Sequence, residues 1–343
     1  MASRYYPDYG KNDTNEEKNV IVASSNTNKQ QPKLLNNDML LSEFRLDCQD
    51  RGFTDETIRR YCRVARMFMD FMKEHSKNIT QVDKHVLRQF IHYRREGGTD
   101  PKTIGYDFAA LSTFYGFLVF EEYCTTNPVM EVRKRYLTEY KLTKGESPRK
   151  LISVEQMSML INSILNNRDR AVCVLLAKTG IRRSELISLD MRDINWRDQS
   201  IILKKGKFKK RTNREIFFDD ECARALKVWL STRSRMMLNK NDDALFVGEQ
   251  GKRLNRNGIY TLVTKYAQTV GLHNPDSDRI EDHFSPHNFR HWFTTHLLRN
   301  GMPREYVQEL RGDGRRDTID IYHHIDKQDL RKTYLSCIPK LGI

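Results

Sequence analysis

Between residues 138 and 150 the chain reads Thr-Glu-Tyr-Lys-Leu-Thr-Lys-Gly-Glu-Ser-Pro-Arg-Lys, a polar run carrying Gly145 and Pro148. Such a run cannot bury an apolar face and is punctuated against regular structure, so it is expected to be an interdomain linker. It splits 343 residues into two pieces, each long enough for a core of its own. The two pieces follow different patterns, so each constrains the fold separately.

The first piece, 37–137, is helical throughout. Ile58, Tyr61, Ala65, Phe68 and Met72 recur at three- and four-residue steps, one apolar stripe with Gly52 and Thr54 as a start signal. Thr80-Gln-Val-Asp83 resembles a capping box and predicts a second helix from Thr80 to Tyr93. Residues 94–101 break the pattern. Ile104, Phe108, Leu111, Tyr115 and Leu118 then place a third helix over Lys102–Glu122, which Asn127-Pro128 is expected to end. The reading is a small all-helical domain of four or five short helices. Residues 1–36, rich in Asn, Lys, Gln, Ser and Thr, lack apolar clusters and are expected to be a disordered arm.

The second piece, 151–343, mixes helices with a small sheet, which makes the whole chain mainly α with a small β-sheet. Helices are expected at 153–165, 168–179, 183–188, 255–270, 287–299 and 303–311, with a short one around Tyr322. Strands at 200–204 and 214–218 flank a basic turn, and Asp219 or Asp220 caps a helix running to about Met237. From Asp326 to Ile343, Leu330, Tyr334, Leu335 and Ile338 stand at helical spacing, a face that either covers its own core or docks on a neighbouring copy.

Charge points to a polyanionic partner. The net charge is +14, and residues 151–343 hold 34 Lys and Arg against 24 Asp and Glu. The turn alone, from Lys204 to Arg214, carries seven basic residues, among them Lys204, Lys205, Lys207, Lys209, Lys210 and Arg211. A hairpin tip of this kind can touch a phosphate backbone. No apolar run approaches the roughly 18 residues of a membrane span, and the N-terminus has no secretory pattern, so a cytoplasmic protein is expected. The six scattered cysteines include no CxxC pair, and read as buried or incidental thiols.

The residues suited to chemistry are Arg182, in Thr179-Gly-Ile-Arg-Arg-Ser-Glu-Leu186, then His287 and Arg290, and Tyr322 in Asp320-Ile-Tyr-His-His324. Two guanidiniums can hold the nonbridging oxygens of a phosphodiester in planar forks. His287 shares a helix face with Arg290 and can move a proton near neutral pH. Tyr322 offers a nucleophilic hydroxyl, and a cationic pocket favours its phenolate. This is a metal-free phosphotransfer set. His287 and His291 stand at i, i+4, but no third ligand is spaced for zinc and Arg290 between them repels a cation, so no metal site is expected. A metal-dependent nuclease is disfavoured by the lack of a carboxylate cluster; His291 and His296 are expected to pack.

Together these segments resemble the tyrosine recombinases of the phage integrase type. Thr-Gly-Ile-Arg182-Arg-Ser-Glu185-Leu is similar to the family's first arginine box, and Ser-Pro-His287-Asn-Phe-Arg290 to its His-x-x-Arg box. Leu310-Arg-Gly-Asp313 stands at its Leu-Gly-His segment, and Thr318-Ile-Asp-Ile-Tyr322 at its nucleophile. Lys102-Thr-Ile, Leu111-Ser, Phe114-Tyr115 and Asn127-Pro128 fit its helical core-binding module.

The resemblance implies a core-binding domain at 37–137 and a catalytic domain at 151–343 that cleaves and rejoins DNA through a 3′-phosphotyrosyl intermediate. It implies Tyr322 as nucleophile, Arg182 and Arg290 on the phosphate, His287 as proton-transfer or hydrogen-bonding group, and Glu185 as a supporting carboxylate. Lys205 is the best match to the leaving-group lysine, with Lys204 and Lys207 as alternatives. Double-stranded DNA carrying specific sites is the implied partner, bound by a tetramer with possible accessory DNA-bending proteins and no cofactor. Asp313 departs from the pattern, which places His or Trp there. It either pairs with Arg311, Arg290 or Arg315 and orients it, or hydrogen-bonds Tyr322 or His287. Otherwise the site is degenerate, which leaves a catalytically impaired DNA-binding relative as one alternative. A DNA-relaxing topoisomerase is the other.

Overall fold

The computed structural model describes residues 36–75, 78–138, 151–203, 214–236, 243–248, 250–313 and 325–343. All but the last residue of the expected arm, all but the first residue of the expected linker, the basic turn with Lys204, Lys205, Lys207, Lys209, Lys210 and Arg211, and the segment with Arg315 and Tyr322 lie outside these residues. The described chain is mostly helical with one three-stranded antiparallel sheet, as the sequence patterns require. It divides into two compact units, the first ending in the main at Val132 and the second running from Arg133.

The first unit comprises α1 (Asn37–Asp50), α2 (Asp55–Glu74), α3 (Lys84–Glu96), α4 (Pro101–Phe120) and the start of α5 (Val129–Tyr136). The stripe on α2 is buried at Ile58, Ala65, Phe68 and Met72 and packs on an aromatic core of Phe44, Phe90, Phe108, Phe114 and Tyr115. Phe68 and Phe90 meet edge to face at 4.9 Å, and Tyr115 donates its hydroxyl to Ile79 O at 2.8 Å.

Two local expectations are corrected. Thr80 does not open α3: it sits in a 3-10 turn capped by Asn78, and α3 begins at Lys84 because Asp83 accepts from the amides of His85 and Val86. Asp83 is extended and its carboxylate takes two orphan donors, which beats the more distant Thr80. Asn127-Pro128 opens a helix rather than ending one. α4 stops at Phe120, Glu122 turns left-handed at φ 60°, and Asn127 Oδ1 accepts from Val129 N at 3.1 Å.

Against the expectation that no run approaches a membrane span, α4 is by length and composition apolar enough to cross one. Its Phe108, Leu111, Phe114 and Leu118 are core residues, and its buried Asp107 pairs with Arg94 at 2.9 Å.

The second unit contains α6 (Val154–Asn162), α7 (Asn167–Thr179), α8 (Arg183–Ile187), β1 (Ile194–Asn195), β2 (Ser200–Leu203), β3 (Arg214–Phe217), α9 (Asp220–Ser234), α10 (Arg256–Thr269), α11 (Pro286–Arg299), α12 (Arg304–Arg311) and α13 (Lys327–Cys337). The strand order is β1-β2-β3, with Ile201 paired to Ile194 on one side and Ile216 on the other. β1, at two residues, was too short to be seen as a pattern. The central helix α7 is buried from Ala171 to Thr179. Of the two candidates, Asp219 caps α9, accepting from Cys222 N at 3.1 Å.

The C-terminal segment covers this unit's own core. Leu330, Tyr334, Ile338 and Leu341 are buried in it, and the Tyr334 hydroxyl donates to Lys178 O at 2.8 Å. Lys178 is itself fully buried inside α7, where its ammonium contacts Asp219 (2.8 Å), Glu221 and Pro339 O (2.7 Å). Glu221 also accepts the amides of Leu341 and Gly342, at 3.0 and 2.7 Å. A polar knot thus ties α7 and α9 to the tail.

Candidate active site

Three helix ends converge to build the site. The first is the end of α7. Gly180 caps it at φ 58°, and a Cβ there would stand 2.4 Å from the Phe293 ring, so only glycine fits the turn. The turn delivers Arg182 to the start of α8, where Glu185 accepts the Arg182 backbone amide at 2.8 Å and its Nη1 at 3.3 Å.

The second is the start of α11, with Pro286 in its first turn. His287 lies in that turn and is exposed, whereas Arg290 one turn on is buried. Arg290 Nη1 donates to Gly180 O at 2.7 Å, which ties the first two ends together. His291, expected to pack, is exposed because its position faces away from the core; His296 is buried beside Trp292.

The third is the end of α12. Gly312, at φ 59°, donates to Glu309 O at 3.0 Å, and Asp313 N donates to Gln308 O at 3.2 Å, a two-bond helix stop. This leaves the Arg311 carbonyl facing the arginines. It accepts from Arg182 Nη1 at 2.8 Å and Arg290 Nη2 at 2.7 Å. An orphan carbonyl at the negative end of a helix suits two cations.

Asp313 meets three guanidiniums. Its Oδ1 accepts from Arg182 Nη2 at 2.9 Å and Arg290 Nη2 at 3.1 Å. Its Oδ2 lies 3.0 Å from Arg311 Nε, an ion pair by distance whose N–H is not aimed at that oxygen. The site therefore assembles the arginine pairing considered for Asp313 and extends it to Arg182. Arg315, Tyr322 and the turn lysines are outside the described residues.

The electrostatics explain why a carboxylate is tolerated here. Burial, and next the neighbouring Arg182 and Arg311, push the Arg290 pKa down, while Asp313 and Glu185 oppose the shift. A guanidinium nonetheless stays charged, so the strain is relieved by counter-charge rather than by proton loss. Burial likewise raises the Glu185 carboxyl, but Arg214 and Arg182 outweigh it and hold Glu185 below the usual carboxylate range.

Arg214 is the residue that the sequence reading missed. In the sequence it reads as the last charge of the basic run and the first residue of a strand, with no role at the site. In the structure it is buried at the start of β3, donates Nε to Leu310 O at 3.1 Å, and grips both oxygens of Glu185. Its one sequence signal is its place as the first residue of a strand, on the face that Ile216 shares.

Chemically, the arrangement presents two arginines with inward Nη2 groups converging on one anionic oxygen. That is the geometry for holding a phosphoryl group.

The chain is similar to known proteins along most of its length. Residues 44–122 match the phage integrase N-terminal SAM-like domain, and residues 150–329 match the phage integrase family. The tyrosine recombinase XerD of Oceanobacillus iheyensis is 28% identical over 305 residues, 85% of this chain and 95% of that protein. Among solved structures, XerH site-specific recombinase bound to a palindromic difH substrate, in a post-cleavage complex, aligns with a TM-score of 0.64 at 21% identity, over 85% of this chain and 83% of that one. The Tn1549 transposon integrase in complex with circular intermediate DNA aligns with a TM-score of 0.63 at 18% identity, over 85% and 98%. The integrase match alone spans more than half of the sequence, and the chain belongs to the phage integrase family of tyrosine recombinases.

Proposed function

We propose that this chain is a site-specific DNA recombinase or integrase that cleaves and rejoins strands through a 3′-phosphotyrosyl intermediate. The observation that carries the reading is the convergence of Arg182 Nη2 and Arg290 Nη2 on a single acceptor oxygen, with the Arg311 carbonyl fixing both guanidiniums from behind. Relatives of like length named tyrosine recombinases support it.

In the proposed reaction the Tyr322 oxygen attacks the scissile phosphorus while the bond to the 5′ oxygen breaks. Arg182 and Arg290 hold the nonbridging oxygens as charge builds on them. Lys205 protonates the departing 5′ oxygen, with Lys204 and Lys207 as alternatives, and His287 takes the phenolic proton or hydrogen-bonds the phosphate. Glu185 positions Arg182, and until DNA binds Asp313 braces Arg182, Arg290 and Arg311. Rejoining is the reverse displacement by a 5′ hydroxyl, so the phosphodiester energy is kept and no cofactor is consumed. The partner is double-stranded DNA with specific sites, contacted by the turn residues Lys204, Lys207, Lys209, Lys210 and Arg211. A tetramer on DNA and accessory bending proteins complete the proposal, with residues 37–137 as core-binding domain, 138–150 as linker and 151–343 as catalytic domain.

The test is a nicked suicide substrate carrying the recombination site, resolved by denaturing electrophoresis in EDTA. The wild type should give a covalent protein–DNA adduct and Tyr322→Phe none, with DNA binding retained. An adduct formed by Tyr322→Phe would refute the assignment. DNA binding without any wild-type adduct would instead support a catalytically impaired relative, the alternative for which Asp313 is the one sequence argument.

A further inference from the structure

One anionic oxygen already bridges the two arginines that the proposed reaction needs. Asp313 Oδ1 is 2.9 Å from Arg182 Nη2 and 3.1 Å from Arg290 Nη2. Arg290 has little else to offer a ligand. Its Nη1 donates to Gly180 O and its Nη2 also to Arg311 O, both at 2.7 Å, and its side chain is only 5% exposed. The Asp313 side chain is 32% exposed, so an anion arriving from solvent meets Arg290 where this carboxylate sits.

Building on the function proposed above, we infer that Asp313 is an internal stand-in for the scissile phosphate. In the DNA-free protein its carboxylate fills the arginine fork, and a bound phosphodiester displaces it.

The charge balance requires such an occupant. Arg182, Arg290 and Arg311 bring three guanidiniums around one carboxylate, and without an anion there only Glu185, paired with Arg182, offsets their mutual repulsion. Once phosphate arrives, a carboxylate on the same donors becomes a like charge at contact distance and is driven out. The exchange needs only side-chain rotation. The Asp313 backbone is held by the hydrogen bond its N–H donates to Gln308 O at 3.2 Å and by the left-handed Gly312 before it. A free phosphate ion has little besides the fork to offset the displacement, whereas a duplex brings many backbone contacts. The fork is thereby closed to small anions and open to DNA.

The test measures inorganic phosphate binding to the full-length, DNA-free chain by titration calorimetry at low ionic strength. Asp313→Asn, which removes the charge and keeps the shape, should bind phosphate about tenfold tighter than wild type or more, and adding Arg182→Met should abolish the gain. Asp313→Ser serves as a second variant should the asparagine impair folding, as judged by thermal melts. In the wild type, the Asp313 side-chain carboxyl carbon resonance should move toward a solvent-like value at saturating phosphate. Unchanged or weaker phosphate binding by the variants, or an unmoved wild-type resonance, overturns the inference. These outcomes are separable from the suicide-substrate result, because a missing adduct counts against the recombinase reading and leaves the phosphate measurements intact.

Discussion

Arg214 and Glu185 face each other fork to fork, Nη1 to Oε1 at 3.0 Å and Nη2 to Oε2 at 2.9 Å, across 29 residues of sequence. Glu185 also holds the Arg182 backbone amide, so Arg214 fixes the arginine beside it without reaching the ligand point.

Removing Arg214 should therefore hurt chemistry more than DNA affinity. Arg214→Met removes a buried guanidinium and leaves the part-buried Glu185 with one partner fewer; breaking a buried pair from one side costs about 3–5 kcal/mol, which bounds the loss here. Urea unfolding should register a loss of that order, and suicide-substrate cleavage should slow while filter binding to duplex DNA changes little. Arg214→Lys keeps the charge but not the fork, so it should recover stability better than cleavage. A variant that cleaved at the wild-type rate would show that Glu185 does not need this partner.

Gly312 should resist substitution for a related reason. A Cβ at φ 59° would be strained, and it would stand 2.6 Å from Arg214 Nη1. Gly312→Ala should cost stability on the order of 1–3 kcal/mol and displace Arg214 from Glu185. Cleavage should then fall in parallel with Arg214→Met. A thermal melt matching wild type would mean that the turn accommodates the methyl without strain.

How much of this was visible in the sequence depended on range. The stripe on α2 was legible because Ile58, Ala65, Phe68 and Met72 repeat with the helix period, a local signal. The start of α3 was misplaced because two cap-like residues, Thr80 and Asp83, stood close together and only geometry chooses between them. The motif spacing located Arg182 and Arg290, yet the partners that make them a site are a main-chain carbonyl at Arg311 and the guanidinium of Arg214. Neither has a pattern, because a backbone oxygen belongs to every residue and Arg214 looks like one more charge in a basic run. Lys178 was hidden for the opposite reason: just after the apolar run Ala171–Ala177 it reads as an exposed residue until the fold brings Asp219, Glu221 and Pro339 around it.

Acid should weaken the second unit through two glutamates. Burial raises both Glu185 and Glu221, but Arg214 with Arg182 on the first, and Lys178 with the Leu341 amide on the second, outweigh it and lower each pKa. Folded values below the ordinary 4.5 mean that the unfolded chain binds these protons first as pH falls. Their contribution is whole above pH 4.5 and is lost as pH drops through the folded values. Thermal melts should thus be flat in this respect from neutrality to about pH 5 and decline below it. Glu185→Gln and Glu221→Gln should each be less stable at neutral pH and show a shallower acid decline. A decline of unchanged steepness in both would assign acid sensitivity elsewhere.

The knot around Lys178 predicts how the tail is held. Lys178 compensates Asp219 and Glu221, and Lys340 lies 3.6 Å from Asp219 as a more exposed cation. Lys178→Met keeps the volume and removes the charge, leaving two buried carboxylates close together. The expected loss is about 3–5 kcal/mol by the same argument as for Arg214. The tail should loosen first, because Glu221 accepts the Leu341 and Gly342 amides and would take up a proton once its ammonium partner is gone. Hydrogen exchange reads this directly: the amides of Leu341 and Gly342 should lose protection in Lys178→Met before those of α7 do. Tyr334→Phe, which removes only the hydroxyl donated to Lys178 O, should cost about 1 kcal/mol and leave those amides protected. Tail protection that survived Lys178→Met would place the anchoring energy in the apolar contacts of Leu330, Ile338 and Leu341 instead.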